Sequence, residues 1–247
     1  MKKVIILLII SLLSTSISAH SKTTYDTYTL ECIETLNKYN IVSAPAERWA
    51  KDDYIKRRDV FDISAYVKEG EPYHFYYESF SNRAPSEVKS MLEDYFRVKF
   101  EFSDIEIGSD DFNFVAALFC IELIKGSNSE NGTLARLDDD TTYNEAFTIL
   151  GRMFTKIGYF SETEIIKNYE SEYPFYDYLA DIKIINSKNP AAPYCPQISI
   201  DELSDKITAY EFLTLLQRAL YVPSFARGDY APFSRHYFID DFVKKQE

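Results

Sequence analysis

Phe112-Asn113-Phe114-Val115-Ala116-Ala117-Leu118, then Leu123-Ile124-Lys125-Gly126, Asn131-Gly132-Thr133-Leu134 and Thr141-Thr142-Tyr143-Asn144-Glu145 make up the stretch from which the fold is read. Phe114, Val115, Leu118 and Ile121 recur at helical spacing, and Gly126 stands where a helix C-terminus favours a residue free to take positive φ. Asn131-Gly132 is a turn signal inside a polar loop. Thr142 followed three residues later by Glu145 is a capping box: the Thr oxygen accepts from a first-turn amide, and the Glu reaches back to the Thr amide. Phe147, Leu150, Met153 and Phe154 continue the apolar stripe behind it. The stretch therefore predicts an apolar helix, a stop, a loop and a capped second helix.

The same plan is written once before and once after. Cys32, Ile33, Leu36, Tyr39, Ile41 and Val42 match Phe114, Val115, Leu118, Ile121, Leu123 and Ile124 in spacing, and so do Phe175, Tyr176, Leu179, Ile182, Ile184 and Ile185. Each block ends on a small residue or turn: Ala44, Gly126 and Ser187. A second helix is predicted from about Ile55 to Val67, from Thr142 onward, and from Ile207 through Leu220. An acid follows three residues behind each cap position, at Asp59, Glu145 and Glu211, so Thr208 with Glu211 is a second capping box. Length differences between the units fall in loops, where insertions cost least.

These readings divide the chain into a signal peptide (1–19), a first unit (26–70), an insert with a helix (71–99), a second unit (100–158), a third unit (159–222) and a C-terminal tail (223–247). Within the insert, the aromatic run Tyr73 to Phe80 reads as extended, and Pro85 to Phe96 as a helix with Pro in its first turn. Ser161 to Glu172 is read as a further short helix.

Lys2 and Lys3 ahead of the apolar run Val4–Leu13, with small residues up to Ala19, form a secretory signal with a cleavage site after Ala19. About ten apolar residues are too few to span a bilayer, which disfavours the competing reading of a retained anchor. Without those two lysines, 25 basic residues face 39 acids, a net charge of −14. Such a balance repels nucleic acid and anionic membrane, so neither is an expected partner.

Cys32, Cys120 and Cys195 are odd in number and lack CxxC spacing; Cys32 and Cys120 lie on helix stripes as small apolar residues, and a single disulfide is the competing reading. Asp138-Asp139-Asp140 invites a calcium reading, but three adjacent acids cannot all face one ion, and acids ahead of a helix N-terminus have a dipole rationale. His20, His74 and His236 lack ligand spacing, and no nucleophile-elbow, zincin or phosphate-loop pattern occurs, so neither a catalytic group nor a cofactor is assigned.

The three units resemble S-layer homology repeats. The family's first helix ends in a Gly-Ile-Ile/Val-x-Gly-like stop, similar to Asn40-Ile41-Val42-Ser43-Ala44, Glu122-Leu123-Ile124-Lys125-Gly126 and Lys183-Ile184-Ile185-Asn186-Ser187. Trp49 stands at the loop aromatic, Asn131-Gly132-Thr133-Leu134 resembles the loop, and Phe102-Ser103-Asp104-Ile105 is similar to the Phe-x-Asp-Val lead-in. The second helix of the family opens Thr-Arg-Ala-Glu. Here the Thr and acid positions are largely kept, whereas the Arg position holds Arg57, Tyr143 and Ala209 in turn.

The resemblance implies an all-α, pseudo-threefold prism whose second helices form a central bundle. It also implies noncovalent attachment to cell-wall polysaccharide, often a pyruvylated secondary polymer, through the motif Arg, whose planar fork suits a carboxylate. With one motif Arg kept, a secreted, non-enzymatic envelope module with weakened wall binding is expected. Its candidate ligand residues are Arg57, Trp49, Arg58 and Tyr143, and Lys56, Arg152 and Arg218 are neighbouring cations able to substitute. The alternatives are a scaffold of the same fold used for contact with an envelope protein, through the aromatic insert, and a wall-glycan hydrolase, which would need a carboxylate pair in a cleft.

Overall fold

Helix α6, Tyr143–Thr155, packs against four other helices in the computed structural model. The structure describes residues 29–39, 41–42, 53–69, 71–130, 132–155, 162–187, 195–221, 223–225 and 235–237. The predicted signal peptide, Trp49 and most of the C-terminal tail lie outside these residues.

The described chain is all-α in character. Helix α1 covers residues 29–38. It is followed by α2 (Arg57–Glu69), α3 (Glu71–Ser81), α4 (Pro85–Phe96), α5 (Asp110–Cys120), α6, α7 (Glu162–Asn168), α8 (Pro174–Asp181) and α9 (Ala209–Leu220). Strand occurs in two short antiparallel pairs, β1 (Ser127–Ser129) with β2 (Gly132–Leu134), and β3 (Pro223–Phe225) with β4 (Arg235–Tyr237). Among the described residues no helix is long and apolar enough to cross a membrane.

The predicted stripes form one core. Phe61 of α2, Phe147 and Leu150 of α6, and Phe212 and Leu216 of α9 are all fully buried. Side chains of this kind contribute about 1.5–3 kcal/mol each on burial. Helix α6 packs against α2, α7, α8 and α9, while α3 lies along α5. The first-helix stripes are buried too: Ile33 and Leu36 in α1, Val115 and Leu118 in α5, and Leu179 in α8.

Three short segments, each leading into one of the helices α2, α6 and α9, are tied together in a closed ring. The Ile55 amide donates to the Ile207 carbonyl (3.2 Å), Ile207 to Thr141 (2.9 Å), and Thr141 back to Ile55 (2.9 Å). One step outward the pattern recurs, with Arg57 donating to Asp139, Tyr143 to Asp205, and Ala209 to Asp53, each at 3.0 Å. Opening amides of a helix have no partner within it. Here the first amide of each of these helices is satisfied by a carbonyl of the neighbouring segment. The next amides are satisfied as well, Arg58 by Leu137 (2.9 Å) and Asn144 by Leu203 (3.0 Å). Both capping boxes form: the Thr142 amide donates to Glu145 Oε2 at 3.0 Å, and the Thr208 amide to Glu211 Oε2 at 2.9 Å.

Some local readings are corrected. Gly126 has φ of +79°, but it does not end the helix: α5 stops at Cys120, and the left-handed residue after it is Glu122, φ +57°. Lys183 plays the same part after α8, with φ +67°. The glycine at 126 instead allows close packing, because a Cβ there would overlap Thr133 and Phe102. The aromatic run predicted as extended is helix α3, whose Phe80 is buried and whose Tyr76 and Tyr77 pack on the core. Tertiary burial against α5 overrides the strand preference of a Tyr/Phe-rich run. The loop after α5 carries the β1–β2 hairpin.

Candidate functional site

The two adjacent arginines at the start of α2 face a seam against the second unit, and the structure separates their roles. Arg57 is buried, with 5% of its surface exposed. Its Nη1 lies 2.7 Å from Glu145 Oε1, its Nε donates to the Ala135 carbonyl (3.2 Å), and its guanidinium stacks over the Phe61 ring. Burial pulls its pKa below the ordinary arginine value, and Glu145 opposes that pull. Arg58 is half-exposed and forks onto Asp111 through Nη1 (2.7 Å) and Nη2 (2.9 Å), with Asp138 at 3.5 Å. Hydrogen bonding to Asp111 raises the Arg58 pKa and holds that carboxyl below its usual range.

Glu145 joins the seam to the helix cap. One oxygen accepts from the Thr142 amide, while the other takes Arg57 and, at 3.1 Å, Arg136 Nη1. The lead-in loop is anchored nearby: Asp104 accepts from the amides of Ala135 (2.8 Å) and Arg136 (2.6 Å). Asp104, Asp111 and Arg136 are therefore parts of the seam that no motif position among the candidate residues identified. The Asp104 signal was present in the Phe-x-Asp-Ile lead-in. Asp111 and Arg136 carry no local mark, because their partners are remote in sequence.

Tyr143 is half-buried; its ring lies 6.0 Å from Phe147, which in turn lies 6.1 Å from Tyr176, so this aromatic series runs toward α8. Trp49 is outside the described residues. The three substitute cations are committed elsewhere. Lys56 binds Asp140 (2.6 Å). Arg152 binds Glu162 (3.1 Å) and the Leu123 carbonyl (3.2 Å). Arg218 binds the carbonyls of Ile184 and Lys183, each at 2.7 Å. Arg152 and Arg218 thus satisfy carbonyls just past the ends of α5 and α8, where a helix leaves acceptors without partners.

The acid run is dispersed over different cations: Asp138 faces Arg58, Asp139 faces Arg136 at 2.6 Å, and Asp140 bridges Lys56 and Lys206 at 2.6 Å each. Among the described residues no group of three His, Cys, Asp or Glu could hold a metal ion. None of Cys32, Cys120 and Cys195 is in a disulfide, and Cys32 and Cys195 are buried. The arrangement offers a partly accessible guanidinium held between carboxylates, which is ion-pairing chemistry. Comparison with protein-family models, with curated proteins and with solved structures finds no match to this chain.

Proposed function

We propose that the chain is a secreted, non-catalytic module of the cell envelope, built as three S-layer-homology-type units in a pseudo-threefold helical prism, and that it holds to wall polysaccharide. The observation that carries this reading is the closed ring of amide-to-carbonyl bonds through Ile55, Thr141 and Ile207. The ring links the starts of three helices at positions that correspond in all three sequence units. A cyclic pairing of this kind is what three copies of one plan around an axis would produce.

The grip on the polymer is weak in this reading. Arg57 is spent on Glu145, and Tyr143 and Ala209 bring no charge to the corresponding positions. An anionic sugar must compete with Asp111 and Asp138 for Arg58. The test is sedimentation of the purified protein with purified walls, with and without pyruvyl groups. Binding that depends on those groups and falls in Arg58→Ala supports the reading. Pull-down indifferent to both overturns it. Arg58→Ala is a cleaner variant than Arg57→Ala, because Arg58 is half-exposed and Arg57 is part of the packing.

The pairing of both arginines inside the chain favours a second reading, a scaffold of the same fold that contacts an envelope protein. Wall binding that is absent, together with specific recovery of an envelope protein in crosslinking, would select it.

A further inference from the structure

A groove of about 420 Å³ opens between α4, the lead-in loop before α5 and the β1–β2 hairpin, and neither Arg57 nor Arg58 lines it. That volume is typical of small-molecule sites. Its floor is apolar. Phe102 lies half-buried across it, edge-on to Phe100 at 5.4 Å, and Ile107 remains 61% exposed at the mouth. The lining is preformed: the missing side chain at Gly126 lets Phe102 and Thr133 both close on that position, and the Ser103 amide ties the loop to the Thr133 carbonyl at 2.8 Å.

The rim mixes charges of both signs, with Lys89 and Lys99 against Glu101. Lys89 donates to Glu101 at 3.2 Å, Lys99 pairs with the same carboxylate, and Glu93 lies 3.9 Å from Lys89. Ser103 and Thr133 add hydroxyls to the lining, the Ser103 hydroxyl donating to the Thr133 carbonyl at 3.2 Å. An anion entering here meets Glu101, and a cation meets two ammonium groups. Glu101 already engages both ammonium groups, which weakens their pull on a free anion, and the rim sets donors and acceptors side by side next to aromatic side chains. A ring with one C–H face and an edge of hydroxyls that both donate and accept is the complement of that surface.

We propose that this groove binds a neutral pyranose oligosaccharide, with one sugar face on Phe102 and its hydroxyls on Glu101, the lysines and Ser103. The proposal goes beyond the wall-anchoring reading: it takes an uncharged sugar and uses neither Arg57 nor Arg58.

The experiment titrates the full chain with chitotriose, cellotriose and maltotriose, and with sodium hexanoate as an amphiphilic anion, by calorimetry and saturation-transfer NMR. At least one trisaccharide is expected to saturate with Kd about 0.1–1 mM, weakened roughly tenfold by Glu101→Gln and by Ser103→Ala. These two side chains are exposed, so the variants keep the fold, unlike removal of the packed Phe102 ring. Failure of all three sugars to saturate by roughly 10 mM overturns the proposal. So does binding of hexanoate alone, and so does sugar binding unchanged in both variants. Walls lacking pyruvyl groups separate the two sites: sedimentation retained there and reversed by free trisaccharide belongs to this groove, whatever the fate of the arginine reading.

Discussion

The Arg57 guanidinium and the Glu145 carboxylate meet at 2.7 Å across the seam between α2 and α6, and Glu145 does so while its other oxygen caps α6. One carboxylate therefore fixes both a helix start and the docking of a second helix. The motif arginine that the resemblance assigns to an external ligand is here an internal fastener.

Arg57→Ala removes a buried, packed side chain but leaves Glu145 with Arg136, whereas Glu145→Gln leaves the buried Arg57 charge facing an uncharged amide. Each should lose about 3 kcal/mol. A double-mutant cycle should return a coupling of about 1–3 kcal/mol. Urea unfolding reads both values; an Arg57→Ala midpoint equal to the wild type would show that the pair does not hold the seam.

Thr141 lies fully buried in the ring, and its hydroxyl has no hydrogen-bond partner among the described residues. Replacing an unsatisfied buried hydroxyl by a methyl of similar shape removes a desolvation cost, so Thr141→Val should gain on the order of 1 kcal/mol. The backbone bonds of the ring remain. Differential scanning calorimetry should show a raised Tm, and a lowered one would mean that the hydroxyl is satisfied in solution.

Gly151 lets α8 approach α6. A Cβ at this position would overlap the Phe175 ring, which is itself buried. Gly151→Ala gains helix propensity, but over-packing of about 1–3 kcal/mol outweighs it. Combining it with Phe175→Leu should recover part of the loss. If the single variant is more stable than wild type by chemical denaturation, α6 and α8 do not pack this closely.

Acid should loosen the fold through its paired carboxylates. Burial works to raise the Glu162 pKa, but Arg152 and Lys125 outweigh it and hold it below the ordinary value of 4.5. Asp111, hydrogen-bonded to Arg58, is also held below its ordinary 3.8. A carboxyl with a depressed folded pKa binds fewer protons folded than unfolded. Its stabilisation is full above the unfolded value and disappears as pH falls through the folded one. Urea midpoints should stay level above about pH 5 and decline below about pH 4.5. Glu162→Gln should flatten that decline, and an unchanged slope would remove Glu162 from the account.

What could be read in the sequence was short-ranged. The capping boxes at Thr142 and Thr208 span a single turn, and the Pro85–Phe96 helix is announced by its proline and its apolar face. The buried stripes follow from spacing alone, because a helix presents every third and fourth residue to one side. Tertiary structure decided what depends on distant partners. Phe80 enters a helix because α5 gives its ring a surface to cover. Glu122 takes the left-handed turn expected at Gly126, because α5 ends earlier and the glycine is needed for the Phe102 and Thr133 contacts. Arg57 turns inward because Glu145 and the Ala135 carbonyl lie far along the chain, and only the folded seam brings them within reach of its guanidinium.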